Sequence, residues 1–444
     1  MSSLQDVFHV PNFIDSRRVG GVQYGIVVLC GLVMFLDGFD TQAISYVAPV
    51  IAREWGIARE ALGPIFSAAL VGLMIGYLGL APLSDRFGHR RLVLTSTAGF
   101  GLLTLLTVFA TSVLQLIMLR FLTGIALGAA IPSTVALTTE FSPKRLRASF
   151  VLAIYCGFSL GFVAAGGLAA ALMPDYGWRS LLWVGAATPP ALAALAFAFL
   201  PESVEFMIRT KRNGMEIWGV LKRIDHTLGN DVPSTFSTNE KERTSAVANL
   251  FKSGRAIGTL VLWLVFGLNL ALFYALQSWL PTILGGEGFR IGTVALATSL
   301  TTVGGIVAAF VIGPAMDRLG PYGSLATLYL VGVPCVVLLG LAVSAPVWIL
   351  LASTFFAGFC VSGGQKSVIA LAAIFYPAPI RSTGVGWALG IGRLGGIAGP
   401  LLVGILLKMN LGPRLLFCYA AIPMLLAGVS VMFLGRRYGK PDLA

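Results

Sequence analysis

Twelve apolar stretches, each about as long as a lipid bilayer is thick, divide the chain and leave most of its charges between them. A helix needs roughly 20 mostly apolar residues to cross about 30 Å of hydrocarbon. Such stretches lie at about residues 22–46, 61–82, 92–110, 113–139, 149–173, 179–200, 256–281, 291–314, 324–343, 346–374, 382–407 and 413–435. They are unbroken, unlike the roughly ten-residue alternating segments of a transmembrane barrel, so they predict an all-α membrane protein. Of 444 residues, 57% are hydrophobic and 11% charged, and the mean hydropathy is +0.86. Soluble domains run near a quarter charged, so a cytosolic enzyme, a nucleic-acid binder and a disordered chain are excluded.

Orientation follows from the basic residues. With the amino terminus inside, about 22 of the 31 lysines and arginines fall on inner segments and about 6 outside. The net charge of +12 is therefore loop anchoring. The opening MSSLQDVFHVPNFIDSRR has no apolar core with a cleavage site, so no removable signal is expected. Both termini are expected in the cytoplasm of a cell with a multi-pass inner-membrane protein. Residues 201–255 carry Arg209, Lys211, Arg212, Lys222, Arg223, Lys241 and Arg243 and read as a cytoplasmic connector. It separates bundles of six spans at 1–200 and 256–444. Val204 to Leu228 is expected to form one or two short surface helices, and the STFSTNEKERTS run after it to be flexible. The cysteines Cys30, Cys156, Cys335, Cys360 and Cys418 all fall in spans without a CxxC pair, which suggests neither a disulfide frame nor a zinc site.

The two halves repeat. PLSDRFG at 82–88 returns as PAMDRLG at 314–320, so that Asp85 and Gly88 correspond to Asp317 and Gly320. Pro143 and Arg147 return as Pro377 and Arg381, at nearly the same spacing along the chain. Two loops agreeing on one spacing predict parallel six-helix halves around a midplane site, as in transporters.

The D-R-x-G turn in both halves, the pattern from Arg120 through Gly124 and Gly128 to Pro132, and the PES at 201–203 resemble the major facilitator superfamily over essentially the whole chain. LDGFD (36–40), GWRSLL (177–182), SWLP (278–281) and GIGRLGG (390–396) resemble its aromatic acid:proton symporter family. That resemblance implies uptake of benzoate-, hydroxybenzoate- or protocatechuate-like acids with protons. It departs at Ala81, where the superfamily loop usually has Gly, and at His89, where it usually has Arg. By resemblance, Asp85, Arg86 and Gly88 form a cytoplasmic gate, with Asp317 and Arg318 as its copy; plain topological anchoring is the alternative. Asp85 is expected to face a helix amino terminus in the opposite half.

Five charges lie well within spans: Asp37, Asp40, Arg120, Lys366 and Arg393. Facing lipid, each would cost roughly 2.5–3.5 kcal/mol, so they should face one another or a watery cavity. Counted along their helices by the helical rise per residue, Asp37 and Arg120 are level, about 20–22 Å from the inner surface. Asp37 and Asp40 share a helix face, so Arg120 can neutralise either. Burial favours a neutral carboxyl and a guanidinium favours a charged one, so making or breaking that contact loads or releases a proton. His9, His89 and His226 all fall on cytoplasmic segments, which leaves midplane proton carriage to the aspartates; Glu140 reads first as structural.

Arg393 lies near the midplane and is the expected carboxylate receptor, because a guanidinium fork takes a carboxylate through two parallel bonds. Gly390, Gly392, Gly395 and Gly396 around it either admit a flat ligand or serve close helix packing. Asn269, Phe273 and Gln277 recur at four-residue steps, a stripe on which a ring can stack while its hydroxyl bonds an amide. Tyr155 and Trp387 are candidates to close the slot, core or interfacial packing being the plainer reading of such aromatics. Ser159 is the repeat counterpart of Arg393 in the first half. Lys366 either snorkels to the cytoplasm or offers a second cation, the latter favouring a ligand with two acidic groups or an ionisable phenol.

The expectation is proton-coupled import of an aromatic carboxylate by alternating exposure of one midplane site. Protons are the coupling ion, with no cofactor or metal, and the unit is monomeric in the bilayer. The alternatives are symport of another organic anion or a sugar acid, or a non-transporting sensor. No G-x-x-x-x-G-K-[ST] loop and no His or Cys cluster in a span supports catalysis. Gly161-Phe162 replaces the Gly-Pro usual in a drug antiporter.

Overall fold

The computed structural model describes residues 7–225, 227–233, 235–238, 247–409 and 411–439; His226, Lys241 and Arg243 lie outside them. The chain starts with strand β1 (Val7–His9) and helix α1 (Val10–Ser16), followed by α2 (Gly21–Glu54), α3 (Leu62–Ile75), a short α4 (Ser84–Phe87) and α5 (His89–Val108). Next come α6 (Val113–Glu140), α7 (Arg147–Tyr176), α8 (Arg179–Phe199), the connector helices α9 (Val204–Arg209) and α10 (Gly214–Ile224), and β2 (Thr235–Ser237). The last six are α11 (Ala256–Gly286), α12 (Ile291–Leu319), α13 (Pro321–Ala342), α14 (Val347–Phe375), α15 (Ala378–Lys408) and α16 (Pro413–Tyr438). Among the described residues, 12 helices are long and apolar enough to cross a membrane, and they match the twelve expected spans. The largest difference is α2, which runs to Glu54 instead of 46. Its extension stays helical because Val47, Ala48, Ile51 and Ala52 are all buried.

By contacts the chain forms two compact units, over residues 1–40, 71–161 and 182–241 and over residues 41–70, 162–181 and 242–444. The boundaries fall within α2, α3, α7 and α8 and, once, within the connector at 241/242. In the second unit, the later part of α2 and the start of α3 pack on α11 and α15. Ser67 Oγ donates to Ile397 O at 2.9 Å and Gln42 Nε2 to Gln277 O at 3.3 Å, while Trp279 Nε1 ties α11 to α15 through Pro400 O at 3.0 Å. The end of α2 is held by the GWR turn, where Trp178 Nε1 donates to Glu54 Oε2 at 2.7 Å and Arg179 lies over the Trp178 ring.

In the first unit the spans cross where glycine meets backbone. A β-carbon on Gly161 would overlap the Phe35 carbonyl of α2, and one on Gly72 the Phe121 carbonyl of α6. The second unit repeats both crossings: Gly395 sits on the Gly267 carbonyl and Gly304 on the Phe355 carbonyl. Each of these residues is displaced from its counterpart by one of the two spacings that relate the loop motifs. The motif glycines agree as well, Gly88 and Gly320 having φ of 95° and 88°, a left-handed conformation that a side chain would strain. The sequence repeat is thus a repeat of helix crossings.

The connector forms the two short helices, while the STFS stretch departs from expectation. Thr235–Ser237 pairs in parallel with β1, register Phe8 to Phe236. It is ordered because Phe236 packs on Phe8 and Trp218, with Phe8 edge-on to Trp218 at 5.1 Å. Ser234 and residues 239–245 of that run lie outside the described ones.

Glycine-on-backbone crossings cannot relax by a rotamer change, so Gly161→Ala and Gly395→Ala should each lower stability by about 1–3 kcal/mol. Gly390→Ala, where a β-carbon meets nothing within 4 Å, should leave it unchanged. Thermal unfolding of the purified protein in detergent measures all three.

Candidate functional site

Asp37 and Asp40 on α2 and Arg120 on α6 are 3%, 2% and 3% exposed, so none faces lipid. Arg120 Nη1 donates to Asp40 Oδ2 at 2.6 Å, a buried ion pair within the first unit. The guanidinium thus lies level with the aspartate turn of α2. Gly38, between the aspartates, lies on the Phe158 carbonyl, which presses α7 onto this turn and keeps lipid from it. Arg120 Nε is buried without a hydrogen-bond partner among the described residues, so one donor of the pair is left over. Ser159 is buried on α7, and Tyr155 is 45% exposed.

The second unit contains the other charges. Arg393 on α15 is partly exposed, and its Nη1 donates to Tyr274 Oη at 3.1 Å. Tyr274 on α11 is 4% exposed and was not foreseen, because it lies one residue off the Asn269–Phe273–Gln277 stripe. The glycines around Arg393 serve helix packing: Gly392 meets Leu270, Gly395 the Gly267 carbonyl and Gly396 the Tyr274 ring, while Gly390 faces open space. Asn269, Phe273 and Gln277 are all buried. Asn269 Nδ2 donates to Val361 O, and its Oδ1 is buried without a partner among the described residues. Gln277 Nε2 is taken by Thr301 and Thr302 of α12, and Phe273 packs on Phe162. Trp387 stacks on Trp263 at 6.0 Å with its other side exposed. Lys366 Nζ donates to Gly305 O at 3.2 Å, the middle residue of α12, so the amine stays within the span instead of reaching a helix end.

The loop turn is tied to the connector. Asp85 Oδ1 accepts from Arg209 Nη1 at 3.0 Å, a partner on α9 that the spacing did not suggest. Arg86 lies over Phe87, and Gly88 leaves room only for Glu202, whose carboxylate accepts from the Arg90 and Ser203 N–H groups. Asp317 and Arg318, the copy at the end of α12, are exposed and make no ion pair among the described residues. Glu140 Oε1 caps α9 through the Glu205 N–H at 2.7 Å, a structural role. Beside it His89, Arg147 and Arg209 line a cavity of about 350 Å³ in the first unit.

The family model for the Major Facilitator Superfamily matches residues 30–342 and 288–443. The chain belongs to the Major Facilitator Superfamily. As a member it is a multi-pass membrane transporter and not an enzyme, and the motif resemblance points the same way. It is 38% identical to a gallate transporter of Pseudomonas putida, over 95% of this chain and 94% of that protein. It is 37% identical to the 4-hydroxybenzoate transporter PcaK of the same organism, over 96% and 95%. A 3-(3-hydroxy-phenyl)propionate transporter of Escherichia coli K12 is 34% identical over 92% and 93%. A solved bacterial homolog of the human lysosomal transporter Spinster, inward-facing and unoccupied, is 17% identical with a TM-score of 0.67, covering 94% of this chain and 95% of that one. That likeness speaks to the fold alone.

In this major facilitator, removing one member of the Asp40–Arg120 pair strands a charge in the span. Arg120→Met and Asp40→Leu should each destabilise by about 3–5 kcal/mol, and the two combined should recover most of the loss. A double-mutant cycle by thermal unfolding tests it, and simple additivity of the single losses would contradict it.

Proposed function

We propose that this major facilitator imports an aromatic carboxylate together with protons across a bacterial inner membrane, by alternating exposure of one site. The observation that carries the reading is the partly exposed guanidinium of Arg393, held inside a span by Tyr274. A positive fork at that depth suits a carboxylate, which it takes through two parallel bonds. The names of the relatives, for gallate, 4-hydroxybenzoate and hydroxyphenylpropionate, support an aromatic acid bearing ring hydroxyls. Asn269 Oδ1, a buried acceptor lacking a donor among the described residues, suits such a hydroxyl.

The proton rides on Asp37 or Asp40. Protonating Asp40 removes the charge that holds Arg120, so proton uptake and release are tied to rearrangement of α2 against α6. The hydrogen bonds from Gln42 to Gln277 and from Ser67 to Ile397 latch the later part of α2 onto α11 and the start of α3 onto α15. In the orientation given by the basic loops this latch is on the outer side, and it must release for a ligand to enter there. Asp85, Arg86 and Gly88 serve the inner side, with Asp317 and Arg318. Lys366 favours a narrower variant: an amine retained within the span suits a ligand with a second acidic group or an ionised phenol.

Uptake of radiolabelled 4-hydroxybenzoate by whole cells tests the reading. A protonophore and Asp37→Asn should each abolish accumulation, and Arg393→Ala should weaken ligand binding about a hundredfold, to a measurable residue, while the protein still reaches the membrane. Accumulation that survives both the protonophore and Asp37→Asn overturns proton coupling; full binding by Arg393→Ala removes Arg393 from the site.

A further inference from the structure

We infer that Tyr274 is a specificity-determining positioning residue, which sets the plane of the Arg393 guanidinium so that the fork takes a carboxylate and discriminates against its uncharged amide. This rests on the reading of Arg393 as the carboxylate receptor. An arginine side chain has five N–H donors in one plane, and its selectivity for a planar anion depends on how that plane is aimed. On a long side chain inside a span, the aim must come from a fixed partner.

Tyr274 meets that need. It is 4% exposed, and its ring is held edge-on by Phe273 at 5.2 Å, so its hydroxyl is a fixed point. Arg393 Nη1 donates to that hydroxyl at 3.1 Å. The ring reaches α15 only because position 396 has no side chain: a β-carbon on Gly396 would stand 2.8 Å from Tyr274 Cδ2. Gly395 on the Gly267 carbonyl and Gly399 on the Ala271 carbonyl bring the two helices together on either side of this contact. The glycines at 392, 395, 396 and 399 of α15 thus serve one side-chain geometry besides the helix crossing. Gly396, less than one helical turn from Arg393, is the one whose replacement moves the tyrosine ring without removing a polar atom.

Calorimetric titration of the purified protein with 4-hydroxybenzoate and 4-hydroxybenzamide tests the inference. Tyr274→Phe removes one oxygen and should weaken hydroxybenzoate binding about tenfold, the loss of one hydrogen bond to a charged group. Binding of the amide should stay within about twofold, the precision of such comparisons. Gly396→Ala should act in the same direction on the carboxylate alone. In an Arg393→Ala background, adding Tyr274→Phe should change nothing, because the tyrosine acts through the arginine. Equal affinity of wild type and Tyr274→Phe for hydroxybenzoate overturns the inference. So does a loss that persists in the Arg393→Ala background, or one shared equally by the amide. Wild-type protein that binds no aromatic carboxylate at all overturns the functional reading beneath, and the inference with it.

Discussion

An ion in a membrane span has to be neutralised by protein, and this chain is organised around that constraint. Asp40 and Arg120 lie on separate helices far apart in sequence and meet at 2.6 Å with almost no exposure. Lys366 Nζ and Arg393 Nη1 instead donate to neutral oxygens, Gly305 O and Tyr274 Oη. The Asp40–Arg120 contact is ion to ion, whereas these two contacts orient a cation through an uncharged carbonyl and an uncharged phenol.

Placing those charges requires helices closer than side chains normally allow, and glycine supplies the distance. Gly38 is flanked by Asp37 and Asp40 and lies on α7; Gly395 and Gly396 follow Arg393 and lie on α11. In both units the polar residue and the small residue are neighbours in sequence because one makes the other's position reachable. The spacing that relates the two loop motifs relates these crossings as well, Gly161 to Gly395 and Gly72 to Gly304. The charges themselves do not repeat, since Ser159 stands where Arg393 has its counterpart. The scaffold was duplicated and the chemistry then diverged.

What could be read from residues alone divides along the same line. The twelve spans are legible because a bilayer imposes a length, and that Arg120 meets one of the two aspartates because the fixed rise of a helix converts position into depth, though not that the partner is Asp40. The partner of Arg393 was not, since Tyr274 sits one residue off the stripe and periodicity ranks it with the core. Gln277 was legible as a buried polar residue, but not that Thr301 and Thr302 would occupy its amide. The extension of α2 to Glu54 was missed because Pro49 and the charges after it look like a helix end, whereas the GWR turn clamps Glu54 from another helix. Phe236 falls in a run whose composition predicts flexibility, because only tertiary contact with Phe8 and Trp218 orders it. Local pattern carries depth and period; it does not carry which neighbour occupies a donor.

The energetics of the ion pair explain why such a pair suits coupling better than a lone acid would. Protonating Asp40 alone leaves Arg120 buried and uncompensated, which costs about 3–5 kcal/mol. Under the proposed function, a second event that gives the guanidinium a new partner, or brings water to it, accompanies the proton. By reciprocity, whatever favours that second event also raises the affinity for the proton. On the proposed function, conformational change and protonation then occur together, which is the condition for symport without leak, and that condition would reside in a single 2.6 Å contact between α2 and α6.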